Sequence, residues 1–291
     1  MTESGSEVEP DSEEYRRGGG TDGPHLARIA RYPIKSLDPT FPDAARLDDG
    51  PGAVSGDREY AIVDADGEFV NGKRTAAVHR LRASFGPDRR TVTFRVEGTD
   101  RTATFDLERE RDAAATWLSD YFGYEVRLRR RERGGFPDDT AIPGPTVIST
   151  GTLREIAGWF DLGVHDARLR FRANLEVGGV PPFWEDRLVA DHGEVVRFRV
   201  GGVPLLGVNP CKRCVVPSRD PHTGEELPEF RERFLERRRE TLPDWSGGDR
   251  FDHYFRVMVN TDVPPEGRGG RLSVGDPVDV GDVLPESEAG E

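Results

Sequence analysis

Two thiols stand close together in the run Asn209-Pro210-Cys211-Lys212-Arg213-Cys214, and the chain has no other cysteine. Lys212 and Arg213 between them make an electropositive setting, which favours thiolate over thiol. A thiolate is both a nucleophile and a soft metal ligand, and several readings are open. A structural zinc site needs four ligands, so His222 or His253 would have to join the cysteines. A thioredoxin-like dithiol opens a helix, whereas here Val215, Val216 and Pro217 follow. A third reading puts one thiolate on the metal of a cofactor, with the flanking cations holding the cofactor's anionic groups. The plain alternative is a pair of small buried residues.

Other residues have types suited to an anionic ligand. Tyr32-Pro33-Ile34-Lys35-Ser36 ends an apolar stretch with a lysine and a hydroxyl, a point charge and a short donor for phosphate. Lys73, in Asn71-Gly72-Lys73-Arg74, offers a second cation. Arg172 and Asn174, in Arg170-Phe171-Arg172-Ala173-Asn174, suit paired hydrogen bonds to the edge of a heteroaromatic ring. Only three of the 41 basic residues are lysines (Lys35, Lys73 and Lys212), which makes each a place to look.

These residues need a scaffold, and the pattern around them is mostly β. Strands are expected at His25 to Tyr32, Glu59 to Val63 with a hairpin partner at Glu68 to Asn71, Leu81 to Phe85, Thr91 to Val96, Thr102 to Leu107 and Glu125 to Leu128. The second half adds Thr146 to Ile148, Arg168 to Phe171, Asn174 to Val177, Val195 to Val200, Pro204 to Val208, Val215 to Ser218, Tyr254 to Val259 and Leu272 to Val280. Helical spacing marks Asp112 to Tyr121, stopped by Gly123, a helix capped by Thr150 or Thr152 and running through Trp159, and Glu226 to Arg239. Many short strands with few helices predict a mainly β, α+β architecture of barrel-like layers with peripheral helices. An acidic tail is expected over residues 1–24, a first β-barrel domain over 25–133, a second over 134–284 beginning in a Gly/Pro-rich stretch, and a short tail over 285–291.

Composition excludes some functions. The 291 residues carry 54 acidic against 41 basic side chains, a formal charge of −13, which argues against a general nucleic-acid binder. An acid excess with arginine in place of lysine suits molar salt, where the Debye length is only about 3 Å and self-repulsion is weak. No apolar run approaches the roughly 20 residues of a membrane span, and the first residues lack a secretory pattern, so a cytoplasmic protein is expected. The basic run Arg129 to Arg133 reads as a solvated linker or, less simply, a nucleic-acid or partner patch.

YPIKS, GDREYAIVDADGEFVNGK, RFRANLEV, PCKRCVVPSRDPHTG and RLSVGDPVDV, in that order, resemble the molybdenum cofactor sulfurase C-terminal (MOSC) domain proteins. The layout, with an N-terminal β-barrel domain before the MOSC domain, is similar to the mitochondrial amidoxime reducing component and its bacterial relatives. The resemblance implies a molybdenum cofactor (Mo-molybdopterin, a pterin dithiolene with a terminal phosphate) held between the two domains. It implies that Cys214 is the catalytic metal ligand and Cys211 is not. Lys35 and Ser36 would hold the phosphate, with Lys73 standing where relatives usually have arginine. Arg172, Asn174 and Arg213 would contact the pterin, with Ser149 near it and Tyr254 bordering the site.

The implied activity is reduction of N-hydroxylated or N-oxide compounds, in which two electrons and two protons carry the oxygen away as water. Asp220, His222 and Tyr254 are the proton-donor candidates nearest in sequence. Electrons would come from a separate donor protein, ferredoxin-like or a cytochrome or flavin reductase, because no ferredoxin-like cysteine cluster is expected after Val280. Nor is the pyridoxal-phosphate desulfurase domain of full sulfurases expected, and with it no bound pyridoxal phosphate. The alternative is a non-catalytic carrier of the cofactor or of persulfide sulfur.

Overall fold

The computed structural model of the chain describes residues 23–138, 142–242 and 253–289. The first half gives β1 (His25–Ile29), β2 (Ala44–Arg46), β3 (Tyr60–Asp64), β4 (Leu81–Phe85), β5 (Thr91–Val96), β6 (Thr102–Asp106), α1 (Arg111–Phe122) and β7 (Val126–Arg130). The second gives β8 (Val147–Ser149), α2 (Thr150–Trp159), α3 (Val164–Phe171), β9 (Leu175–Gly178), β10 (Glu194–Val200), β11 (Val203–Lys212), α4 (Phe230–Thr241), β12 (Arg256–Asp262), β13 (Arg271–Ser273) and β14 (Val278–Pro285). The protein is mainly β with peripheral helices, the class expected. Among the described residues no helix is long and apolar enough to cross a membrane.

A seven-stranded sheet in the order β1-β9-β8-β12-β11-β10-β14 dominates the second half; β8 and β9 run parallel and the other pairs antiparallel. Leu26 N donates to Asp276 O at 2.8 Å and Val278 N to Pro24 O at 2.9 Å, so the sheet curls until its edges meet. Inside the curl Leu26, Ile29, Leu205, Phe198, Val259 and Leu272 form one core. A β4-β5-β6 meander and the β3-β7 pair wrap α1 around a second, built on Ile34, Ile62, Leu81, Phe94 and Leu118. A third core, with Phe171, Phe230, Phe234 and Phe255, lies among α2, α3 and α4.

The division in space is not the division in sequence. Strand β1 pairs with β9, and β2 pairs with β13, so the start of the chain completes the second half's sheets. The closing stretch Leu272 to Val280 is two strands, split at Gly275 by a turn with φ of 94°. Pro285, expected in a tail, is paired with Glu194; Met1 to Asp22 and residues 290–291 lie outside the described residues.

Two expected strands are corrected. Arg168-Leu169-Arg170-Phe171 alternates polar and apolar and reads as period two, yet it belongs to α3, which buries Ala167, Arg170 and Phe171. Val215 to Ser218 is instead a 3₁₀ turn with Pro217 at its start, a residue that removes a ladder donor. The partner of the first hairpin is reduced to one bridge, Val63 with Phe69. Helix α2 is capped by Ser149, not by either threonine, with its hydroxyl accepting from Thr152 N at 3.0 Å.

Candidate functional site

Between the two halves lies a cavity of about 790 Å³. Four of the eight described non-glycine residues with positive φ sit on its wall: Ser36, Arg58, Arg172 and Met258. Such conformations cost about 1 kcal/mol or more each and persist where the fold over-determines them.

The first wall is the turn after β1. Lys35 N donates to Tyr60 O at 2.8 Å, and Ser36 follows with φ of 73°. Buried Asp57 clamps this turn, accepting from Tyr32 N at 2.8 Å and from Arg58 Nη1 at 2.9 Å. Arg58 itself was not anticipated as a site residue, although it lies inside the GDREY stretch. Its guanidinium reaches Asp138, whose other oxygen accepts from Lys35 Nζ at 3.2 Å. Burial opposes the Arg58 charge, but the Asp57 and Asp138 carboxylates outweigh it and hold its pKa above the usual arginine value. Burial likewise opposes the Asp138 charge, yet Arg58 and Lys35 keep its carboxyl well below the usual range. Exposed Lys73 lines the same cavity.

The second wall comes from the other half. Arg172 is the left-handed C-cap of α3, with its guanidinium 4.1 Å from the Tyr32 ring centre and Nη2 donating to Leu37 O at 2.7 Å. Burial pushes the Tyr32 hydroxyl up to about 12, so Tyr32 is a neutral platform. Strands β11 and β12 slip register twice, between Gly207 and Asn209 and again between Pro210 and Lys212. Bulges of this kind re-aim side chains near sites. The second slip places Met258 at φ of 73°, and Cys211 and Cys214 come to the wall as β11 ends. Arg213 Nη1 donates to Cys211 Sγ at 3.2 Å and Nη2 to Phe171 O at 3.1 Å. Burial opposes the Arg213 charge; Cys211 and Cys214 outweigh it and raise its pKa.

The cavity therefore gathers Lys35, Ser36, Lys73, Arg172, Arg213 and Cys214. Three other expected residues are not on its wall. Ser149 is fully buried, its hydroxyl shared between the helix cap and Thr152 Oγ1 at 2.8 Å. Asn174 accepts from Thr146 N at 3.2 Å and donates to Ala30 O at 3.2 Å, spending its amide on joining β1 to the second half. Tyr254 has Arg239 over its ring at 4.8 Å. Among the proton-donor candidates, Asp220 Oδ1 caps the turn at His222 N and Thr223 N, and His222 faces Arg82. Buried His79, unanticipated, lines the cavity with a pKa lowered by burial.

Both cysteines are free of disulfides, and no group of three His, Cys, Asp or Glu among the described residues is placed to hold a metal by itself. That leaves the zinc reading without its ligands. A ligand that brings its own anionic groups and metal fits better. Cys214 offers a thiol, the wall is rich in cations, and Arg213 Nε is buried without a hydrogen-bond partner among the described residues.

Two family models match successive parts of the chain. A family model of the MOSC N-terminal beta barrel domain matches residues 23–125, and one of the MOSC domain matches residues 146–279. Among curated proteins, a molybdenum cofactor sulfurase of Caenorhabditis briggsae is 25% identical over 230 residues, 70% of this chain and 30% of that protein. One from Drosophila mojavensis is 22% identical over 246 residues, 71% of this chain and 29% of that protein. The chain thus spans less than a third of the length of these relatives. Among solved structures, the YuaD protein of Bacillus subtilis aligns with 15% identity and a TM-score of 0.39, over 88% of this chain and 94% of that one. With the two domain matches following one another over most of its length, the chain belongs to the MOSC-domain proteins, an N-terminal MOSC beta barrel domain preceding the MOSC domain.

Proposed function

We propose that the chain binds molybdenum cofactor in this cavity and serves as a reductase of N-hydroxylated or N-oxide compounds, fed with electrons by a separate donor protein. The observation that carries the reading is one cavity lined at once by Cys214, Arg213, Arg172, Lys35 and Ser36, residues far apart in sequence. The relatives' name ties proteins of this kind to the molybdenum cofactor.

The bound cofactor would supply two-electron oxygen-transfer chemistry; the protein supplies position and electrostatics. Cys214, next in sequence to Arg213, would be the sulfur ligand of the metal. Lys35 and Arg58 offer charge-assisted hydrogen bonds to a phosphate, with the Ser36 hydroxyl beside them. Arg172, stacked on Tyr32, and Arg213, whose Nε has no hydrogen-bond partner among the described residues, present flat donors to a heterocycle edge. Asn174 and Ser149 lie off the wall, joining β1 to the second half and capping α2, and Tyr254 packs under Arg239.

A second reading has its own support. The relatives are named sulfurases, and a second sulfur, Cys211 Sγ, accepts a hydrogen bond from Arg213 and offers a group to carry sulfur. Protein loaded in a cofactor-making host and given an artificial reductant with an N-hydroxylated amidine separates the two. A reductase turns over the compound, and Cys214→Ala abolishes it. A carrier leaves the compound untouched and passes its cargo to a cofactor-free acceptor enzyme, which would overturn the reductase reading.

A further inference from the structure

Lys35 and Arg58 are fixed parts of the wall. Arg58 is held by the buried Asp57 carboxylate at 2.9 Å. Lys35 Nζ donates to Pro137 O at 2.7 Å and lies 5.1 Å from the Phe69 ring centre. Their side chains are only 10% and 18% exposed, whereas that of Asp138, which bridges them at 3.2 Å on each side, is 58% exposed. Asp138 is itself one of the cavity's lining residues. Two residues earlier the backbone is anchored: Phe136 N donates to Arg58 O at 2.8 Å, and the Phe136 ring packs edge-on against Phe69. A side-chain rotation of Asp138 would withdraw its carboxylate from both cations, while Arg58 keeps Asp57 and Lys35 keeps Pro137 O. Both cations line the cavity, and the Asp138 carboxylate is the anion that bridges them.

We propose that Asp138 is a built-in counter-anion for a phosphate subsite, occupying the Lys35–Arg58 cradle until a phosphate-type group displaces it and so setting how tightly that group is held. The inference rests on the reading that this cavity takes a phosphate-bearing ligand. A phosphate ester carries about −1.5 to −2 charge at neutral pH and three acceptor oxygens, so it outcompetes a single carboxylate for two donors. Retaining an internal anion keeps the cations compensated when no ligand is bound, at the expense of affinity when one arrives.

The test uses the full chain purified from a host that makes no molybdenum cofactor, titrated calorimetrically with inorganic pyrophosphate at low salt. Asp138→Asn is expected to bind pyrophosphate about tenfold or more tightly than the wild type, and Asp138→Ser to follow it. Asp138→Glu, which keeps the charge, should stay close to the wild type, and Lys35→Ala should lose binding. Thermal melts of each variant verify folding. Equal or weaker binding by the folded Asn and Ser variants overturns the proposal, and so does absence of binding by all of them. Molybdenum and pterin content of wild-type protein from a cofactor-making host reports separately on the underlying reading. Loaded wild type with no gain in the Asn variant sinks only the counter-anion.

Discussion

Arg213 sits between the chain's two thiols, and the contacts on its two sides differ. Its Nη1 touches buried Cys211, while Cys214 is half-buried on the cavity wall. On the proposed function Cys214→Ala should cut retained molybdenum at least about tenfold, with Cys211→Ala costing far less; equal losses would favour a dithiol. Away from the cavity, Glu185 is fully buried beside Asp186, and its Oε2 accepts from Thr152 Oγ1 at 2.9 Å. Burial, then the Asp186 charge, pushes its pKa up to about 7. Raised above its unfolded value near 4.3, this carboxyl holds a proton in the folded state that the unfolded chain has lost. Its contribution is therefore lost as pH rises from about 4.5 to about 7. Glu185→Gln should flatten that part of the melting-temperature profile, gaining on the wild type by on the order of 1–3 kcal/mol above pH 7. Parallel pH profiles for the two proteins would contradict the assignment.

At the scale of elements, positioning falls to caps, turns and bulges. Ser149→Ala removes a helix cap and a buried hydrogen bond, so it should lower stability by about 1–2 kcal/mol in thermal melts while leaving cofactor content near the wild-type level. A selective loss of cofactor would instead return Ser149 to the site. Strand β11 shows what tight positioning requires: an added Cβ at Gly207 would lie 1.9 Å from Leu188 O, a contact that admits no side chain. Much of this level is legible in the sequence. Strands β4 and β5 have the expected bounds because Leu81 to Phe85 and Thr91 to Val96 alternate cleanly, and α1 ends at Gly123, in the left-handed region with φ of 79°. Helix α3 was hidden because its alternating arginines imitate a half-buried strand. Motif residues whose types suit an anion found the cavity; Asn174 and Ser149 carry the same types but spend them on backbone. Asp57 and Arg58 escaped notice because their roles depend on Tyr32 and Asp138, partners 25 and 80 residues away.

For the whole molecule, the start of the chain is structurally part of its second half. Leu26 and Ile29 of β1 pack in the same core as Leu205, Val259 and Leu272, and β1 covers the edge of β9. A fragment beginning at Gly134 would lack β1 and β2 and leave those strands and that core open, so it should show no cooperative melt; a fragment that melts like a folded domain would refute this dependence. The same interlocking builds the cavity, because Lys35 and Arg58 come from one half and Arg172, Arg213 and Cys214 from the other. The proposed function requires that both walls grip one ligand. Molybdenum and pterin should be counted in wild-type, Lys35→Ala and Cys214→Ala proteins purified from a host that makes the cofactor. The account predicts molybdenum and pterin in equal amounts in the wild type, a fall in both in Lys35→Ala, and molybdenum lost from Cys214→Ala. Wild-type protein free of both, or either variant as fully loaded as the wild type, would contradict it.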